Sequence, residues 1–177
     1  STPRANIDSG TMWCTRAWWT MFHFGVHCSI LEGGVEKWEA EKRTMSAETT
    51  SVSPGSFTVT ADFSSGLANK DEVLATISDS DSCLIDNLTA GSFEGSEPGY
   101  GPRNGHIKGA VNVPFRSLLT DETANFVDLA FAREQFGEAL NKPKIVTYCG
   151  GAIAATVGAF TLLRLGHKNV SVYDASL

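Results

Sequence analysis

The sequence predicts an α/β protein with a mostly parallel sheet flanked by helices. Two observations predict this class. Short apolar runs alternate with stretches of helical period along residues 70–174, and strands separated by helices favour a parallel sheet. The run "KIVTY", residues 144–148, has almost no polar interruption, as expected of a strand whose two faces are both covered.

The first elements lie between residues 11 and 41. The stretch "TMWCTRAWWTMFHFG" spaces its apolar residues as a helix does, with Trp13 on one face, Trp18 and Phe22 beside it, and Gly25 at its end. The run "CSIL" then predicts a short buried strand. A short amphipathic helix follows in "VEKWEAE".

The second group of elements builds the predicted sheet. Its helices are "KDEVLATI", "ANFVDLAFAREQFGEAL" and "AATVGAFTLLRLG", and its strands are "SCLIDN", residues 111–113, "KIVTY" and "NVSVYD". The stretch "GSEPGYGPRNG" is a loop because of its glycine and proline content.

Composition excludes several classes of function. The chain has 177 residues, a formal net charge of −6 and a pI near 5.1, so no nucleic-acid partner is expected. No apolar run reaches the ~20 residues that a membrane helix needs. The four cysteines form no CxxC pair, and they form no zinc spacing with the four histidines. No metal is therefore predicted, and the scattered cysteines suit a reducing compartment such as the cytoplasm or mitochondrial matrix, although an N-terminal signal is not observable.

An internal repeat connects the two halves of the chain. "TRAWWTMFHFG", residues 15–25, and "TVGAFTLLRLG", residues 156–166, align without a gap at an offset of 141 residues. Each begins with threonine, ends with glycine and continues into a short apolar run and an acid. These matched ends and sequels favour a duplication over a chance likeness.

The repeat divides the chain into three parts. Residues 1–45 are predicted to be the C-terminal fragment of a first domain, 46–61 a Ser-, Thr-, Pro- and Gly-rich linker, and 62–177 a second domain with an incomplete C-terminus. The chain is then expected to begin inside its first domain, whose missing segment is needed. The Trp13, Trp18 and Phe22 face is expected to bind a partner or to cause poor behaviour in solution.

A lone cysteine, Cys149, stands between a predicted strand and a predicted helix and is followed by Gly150 and Gly151. The first turn of a helix has unpaired amide donors and a partial positive charge, and the glycines let the loop curl inward. This setting stabilises a thiolate or an anionic adduct on the sulfur. It predicts nucleophilic attack by Cys149. The alternative is a buried, inert cysteine beside glycines that serve packing; the position at a strand end favours function.

Three motifs carry a resemblance to a known family. "YCGGAIAAT", "GHIKGAVNVPF" and "LGHKNVSVYDASL" resemble the rhodanese sulfurtransferases, and "TRAWWTMFHFG" with "ILEGGVEKW" resembles the first, non-catalytic domain of tandem rhodaneses. The resemblance implies a rhodanese-like domain preceded by part of a second one. It also implies transfer of a sulfane sulfur from a small anionic donor, thiosulfate or 3-mercaptopyruvate, to cyanide or a thiol.

The resemblance assigns roles within the cysteine loop. Cys149 is the catalytic residue and carries the sulfur as a covalent persulfide, without another cofactor. The amides that bind this persulfide belong to Gly150, Gly151, Ala152, Ile153 and Ala154. Subtracting the 141-residue offset from Cys149 gives Asp8, and a carboxylate cannot carry sulfur, so the first domain is expected to be catalytically silent.

The chain departs from the family pattern near the predicted site. Active members usually carry arginines where this chain has Leu88 and Ser92, and anionic donors need such cations in a dehydrated pocket. Arg103 is a candidate replacement, with a solvated loop residue as the alternative. Asp86 matches the family's acid and is expected to support the loop, and His106 is expected to be structural. The neutral loop leaves the donor open.

Three other functions compete with sulfur transfer. A rhodanese-like binding or regulatory module without turnover would explain Leu88 and Ser92. A phosphatase of this fold would need a longer loop closed by arginine, and none occurs through Thr156. A dinucleotide site is excluded because "GGAIAA" lacks the G-x-G-x-x-G order.

Overall fold

The computed structural model describes residues 7–59, 66–100, 103–120 and 124–177, and it leaves out the side chains of residues 7–9. Six α-helices and five strands occur in these ranges. The helices are α1 (Ile7–His23), α2 (Gly34–Ala40), α3 (Lys70–Thr76), α4 (Ala90–Glu94), α5 (Leu129–Phe136) and α6 (Ala154–Arg164), and the strands are β1 (Leu67–Ala68), β2 (Ser82–Asp86), β3 (Val111–Asn112), β4 (Lys144–Tyr148) and β5 (Val170–Tyr173). Short 3-10 turns cover Phe115–Leu118 and Gly137–Asn141.

The five strands form one parallel sheet in the order β1-β5-β4-β2-β3. The predicted α/β class and the parallel sheet are therefore confirmed. In the register of β2 and β4, Asp86 pairs with Tyr148, so both strands end at the same level. The residues that follow these two strands consequently lie at one edge of the sheet.

Helices α1, α5 and α6 cover one face of the sheet. Helix α3 and the loop around Ile107 cover the other face. Ile145 faces a core that includes α1, α5 and α6, whereas Val146 faces a smaller cluster with Val73 of α3. This alternation follows from the period of two along a strand. It explains why β4 is apolar at consecutive positions.

Helix α1 packs against α6, and the two threonines that the repeat equates touch each other. The hydroxyls of Thr15 and Thr156 lie 2.8 Å apart. Trp19, one turn beyond Thr15, is fully buried, whereas Trp13 keeps 58% of its surface exposed. The face of Trp13, Trp18 and Phe22, which was expected to lack a covering sheet, is covered in part: Trp18 packs edge-on against Phe160 of α6, whereas Phe22 keeps 45% of its surface exposed.

Two sequence predictions for individual elements are also wrong. Residues 28–31 form no strand, since no described strand lies beside them to complete a ladder. The helix predicted from residue 124 begins at Leu129, because the Asp128 carboxylate caps it by accepting from the amides of Ala130 and Phe131.

The remaining N-terminal predictions fall on different parts of the chain. Residues 46–59 of the predicted linker carry no regular element. The prediction for Asp8 concerns a side chain outside the described residues. Within the described ranges, no helix combines the length and apolarity that crossing a bilayer requires.

Candidate functional site

Cys149 directly follows β4 and lies at the edge of the sheet where β2 also ends. Its side chain is buried, with 2% of its surface exposed, and it lines a cavity of about 720 Å³. A cavity at the carboxyl end of a parallel sheet is the usual position of a ligand site in this fold class.

The cavity is bounded by the cysteine loop, by the segment after β2, by the turn after β3 and by α1. Its lining is mostly apolar, with two charged residues among those described. The lining residues are Met12, Trp13, Leu88, Thr89, Ser92, Glu97, Pro98, Gly99, Tyr100, Phe115, Arg116, Cys149, Gly150, Gly151, Ile153 and Ala154.

Ser176, which the sequence analysis missed, ties the cysteine loop to the end of β5. Its hydroxyl oxygen accepts from the amides of Cys149 (3.3 Å) and Ala152 (3.0 Å), and it donates to the carbonyl of Tyr173 (3.0 Å). Ala152 has a φ of +57°, a conformation that costs a non-glycine residue about 1 kcal/mol. The Ala152 amide is therefore engaged by Ser176, whereas a role in binding a persulfide was predicted for it.

For four other loop amides, the predicted role in binding a persulfide stays a prediction. Within the described residues, the structure gives no protein acceptor to the amides of Gly150, Gly151, Ile153 and Ala154. Ile153 directly precedes α6, where the amide donors of a helix are unpaired. These amides lie in the loop that carries Cys149, and all four residues line the cavity beside it.

Arg16 of α1 holds the same loop from outside. Its Nη1 atom donates to the Ala152 carbonyl (3.4 Å) and forms an ion pair with Asp174 (2.6 Å). The pair is partly exposed, so its contribution to stability is small. Because Met12 and Trp13 also line the cavity, α1 belongs to this site and is more than an appended fragment.

Gly150 allows a close approach of Tyr100 to the cysteine loop. A Cβ atom built on Gly150 would lie 2.3 Å from the Tyr100 ring, whereas one on Gly151 meets nothing within 4 Å. This glycine therefore accommodates an aromatic side chain that covers the loop, and the role of its amide in persulfide binding stays a prediction.

Asp86 is fully buried at the end of β2, and it does not line the cavity. Its Oδ1 atom accepts from the amide of Leu88 (2.8 Å), which orients the turn after β2. Burial raises the pKa of Asp86, and the Leu88 amide and the nearby Tyr148 hydroxyl only partly oppose this shift. Burial and the Asp86 charge raise the pKa of Tyr148 as well.

The structure separates the remaining candidates. Leu88 and Ser92 both line the cavity, as expected of positions that usually hold arginine. Arg103 is exposed and lies outside the lining, so a substrate-binding role for it is not supported. Arg116 lines the cavity instead, which local sequence did not indicate. His106 is structural: its Nδ1 donates to the Phe93 carbonyl (2.7 Å) and its ring stacks on Phe93.

Within the part of the chain that the structure describes, no three His, Cys, Asp or Glu side chains are grouped so that they could hold a metal ion. All four cysteines are free thiols.

Replacing Ser176 by alanine tests the anchor of the loop. Ser176→Ala leaves the buried amides of Cys149 and Ala152 without their acceptor, so we expect a loss of about 1 kcal/mol in the free energy of unfolding. We also expect faster alkylation of Cys149 by iodoacetamide. Ser171→Ala, a buried serine of β5 without such bonds to the loop, is the control. Equal alkylation rates in the two variants would contradict the role of Ser176.

Asp86→Asn tests the buried carboxyl group. The pKa of Asp86 is higher in the folded than in the unfolded chain, so the folded state retains a proton that the unfolded state loses near pH 4. Stability therefore falls as the pH rises from about 4 through the raised pKa. We expect urea unfolding to show that the wild type loses stability relative to Asp86→Asn over this range. A pH profile of Asp86→Asn parallel to that of the wild type would contradict the prediction.

Comparison with known proteins is consistent with this geometry. Residues 69–177 match the family model described as "Rhodanese-like domain". The chain is 31% identical over 173 residues to the thiosulfate sulfurtransferase of Gallus gallus, and this match covers 96% of the chain and 59% of the relative. It is 32% identical over 176 residues to the 3-mercaptopyruvate sulfurtransferase of Escherichia coli strain K12, covering 96% of this chain and 61% of that protein. The chain thus spans less than two thirds of these relatives.

Solved structures show the same fold. The 3-mercaptopyruvate sulfurtransferase SseA from Escherichia coli superposes with a TM-score of 0.76 at 27% identity, over 92% of this chain and 62% of that chain. EanB, in a complex with ergothioneine and a persulfide on its cysteine, superposes with a TM-score of 0.83 at 18% identity, over 98% of this chain and 45% of EanB.

Proposed function

The chain belongs to the rhodanese-like family, and on that premise we propose that it is a sulfurtransferase whose Cys149 carries a sulfane sulfur as a persulfide. The observation that carries this proposal is the position of Cys149 in the cavity, beside loop amides without protein acceptors. Such amides stabilise an anionic sulfur where water is excluded. The relatives named for sulfur transfer support the same reaction.

The first step loads the cysteine. The Cys149 thiolate attacks the outer sulfur of thiosulfate, the sulfur–sulfur bond of the donor breaks, and sulfite leaves with the bonding electrons. With 3-mercaptopyruvate, the carbon–sulfur bond breaks instead and the thiol proton goes to the carbon, which gives pyruvate. Either route leaves a terminal persulfide anion on Cys149.

The second step unloads it. Cyanide or a thiolate attacks the terminal sulfur, the persulfide bond breaks, and the Cys149 thiolate is restored. The products are thiocyanate or a new persulfide on the acceptor. No bound cofactor enters this scheme, because the cysteine itself carries the transferred atom.

The roles of the loop follow from this scheme. The amides of Gly150, Gly151, Ile153 and Ala154 bind the persulfide, and Ser176 with Arg16 holds the loop in place. The contact between Thr15 and Thr156 at the repeat offset supports a duplicated origin for α1 and α6. Residues 1–45 then form part of a non-catalytic first domain whose helix completes the wall of the second.

A persulfide assay tests the proposal. The reduced protein is incubated with thiosulfate, or separately with 3-mercaptopyruvate, and its intact mass is measured before and after addition of cyanide. We expect a gain of one sulfur atom that disappears with cyanide, and the better donor gives the larger gain. No gain with either donor in folded, reduced protein would overturn sulfur transfer.

A binding module without turnover is the second candidate. It is favoured by Leu88 and Ser92, which line the cavity where the family usually has arginines. Without those cations, thiosulfate would enter the cavity at a cost. The same mass measurement separates the candidates, because a silent module stays unloaded.

A further inference from the structure

Glu97 places a carboxylate in the wall of the cavity that holds Cys149. Its Oε2 atom accepts from the hydroxyls of Thr89 (2.6 Å) and Ser92 (3.2 Å). Thr89 is the N-cap of α4, and its own hydroxyl oxygen accepts from the Ser92 amide. Although Glu97 is exposed to solvent, these two hydroxyls hold its carboxylate against α4.

The space above α4 has no room for Glu97 to move toward the helix. A Cβ atom on Gly91 would lie 2.6 Å from the Glu97 carboxyl carbon, so the side chain rests directly on this glycine. Ser92, where an arginine would point into the cavity, instead donates to Glu97. The sign of the charge on this wall is the reverse of the sign that an anionic donor requires.

The rest of the lining is consistent with a cationic ligand. Trp13, Tyr100 and Phe115 bring three aromatic side chains to the cavity, and aromatic faces attract cations, ammonium groups included. Arg116, the other charged residue of the described lining, lies with its guanidinium 5.5 Å from the Phe115 ring centroid. Arg116 belongs to the turn after β3, whereas Glu97 belongs to the segment that follows α4, so the negative charge of the described lining is on the α4 side of the cavity.

We propose that Glu97 determines the specificity of this site by binding the positively charged group of a sulfur acceptor, a small thiol that carries an ammonium group. This inference rests on the proposed sulfur transfer. The thiolate of the acceptor attacks the terminal sulfur of the Cys149 persulfide, the persulfide bond breaks, and the Cys149 thiolate leaves. The ammonium group meanwhile lies beside Glu97 and the aromatic side chains. Anionic acceptors of the same size are disfavoured.

The first test needs no sulfur transfer. Reduced protein reacts with two methanethiosulfonate reagents, one bearing a trimethylammonium-ethyl group and one a sulfonatoethyl group. In each case the Cys149 thiolate forms a mixed disulfide and methanesulfinate leaves. The rate of modification of Cys149 by each reagent is followed by peptide mass. The ratio of the cationic to the anionic rate is then divided by the same ratio measured with free 2-mercaptoethanol, which corrects for the intrinsic reactivity of the two reagents.

We expect this corrected ratio to favour the cationic reagent by roughly fivefold to tenfold and to approach one in Glu97→Gln. The surface variant Glu134→Gln on α5 is the matched control and should keep the wild-type ratio. Raising the salt concentration to 0.5 M should lower the wild-type ratio, a readout that needs no variant. A corrected ratio of one in the wild type, or equal ratios in Glu97→Gln and Glu134→Gln, would overturn the inference.

The second test uses persulfide-loaded protein. Its unloading is timed with cysteamine, 2-mercaptoethanol and 3-mercaptopropionate, which have similar sizes but carry positive, zero and negative charge. At equal thiolate concentration we expect cysteamine to be fastest, and Glu97→Gln to remove its advantage. If the protein loads with sulfur but the three thiols unload it at rates that do not follow their charge, the role of Glu97 is refuted and sulfur transfer is not. Protein that shows the alkylation preference but never loads would refute sulfur transfer and leave the cation preference of the cavity standing.

Discussion

Cys149→Ser is expected to abolish the sulfur gain that the wild-type protein shows with its donor. A serine hydroxyl remains protonated at neutral pH and forms no persulfide, so the loop amides have no anionic sulfur to bind. The rate of thiocyanate formation should fall by roughly a thousandfold or more, as is typical when a nucleophile is removed. Intact mass after donor treatment and thiocyanate release after cyanide provide two independent readouts.

Cys14→Ser is the matched control for this variant. Cys14 is an exposed free thiol on α1, and it lies outside the described lining of the cavity. We expect this variant to load and release sulfur at the wild-type rate. Sulfur loading that survives in Cys149→Ser and disappears in Cys14→Ser would move the chemistry to the first helix and refute the proposed site.

Gly158→Ala is expected to destabilise the fold by about 2 kcal/mol. A Cβ atom at this position of α6 would lie 2.6 Å from both terminal atoms of the Asn87 side chain, which is fully buried after β2. The Asn87 amide donates to the Val113 carbonyl (2.7 Å), so it cannot move without loss of that bond. Overpacking typically costs 1–3 kcal/mol, and the broken bond adds about 1. The better helix propensity of alanine offsets about 1.

Urea denaturation followed by tryptophan fluorescence measures this effect. Gly151→Ala provides the comparison, because a Cβ atom there meets nothing within 4 Å, and we expect its unfolding free energy to stay within about 0.5 kcal/mol of the wild type. If Gly158→Ala proved as stable as the wild type, α6 would have to pack less closely on Asn87 than the structure shows. The same result would weaken the geometry assigned to the turn after β2.

Much of the structure of residues 70–174 was predictable from local sequence. Strands β2, β4 and β5 are short, mostly apolar runs, and α6 has a clear helical period, so both signals are contained in a few neighbouring residues. The cysteine followed by two glycines between a strand and a helix was also a local signal. Its position at the edge where β2 and β4 end agrees with the register of the sheet.

The N-terminal half was predicted less well. Periodicity identified α1 but did not single out Trp19, which is fully buried, whereas Trp13 keeps 58% of its surface exposed. Several faces of this helix are apolar, so sequence alone cannot show which of them meets α6. The strand predicted at residues 28–31 failed for a related reason: an apolar run becomes a strand only beside a partner, and the described chain offers none there.

The sequence by itself determined the α/β class, the order of the elements in residues 70–174 except for α4, and the cysteine loop. Each depends on residues that are neighbours along the chain. The tertiary structure decided which distant side chains serve that loop: Arg16 lies 136 residues from Ala152, and Ser176 lies 27 residues from Cys149. It also brought Glu97 and Arg116 into one cavity while it left Arg103 at the surface. Such contacts arise from the packing of α1, α4 and β5 around one end of the sheet, and no local pattern encodes them.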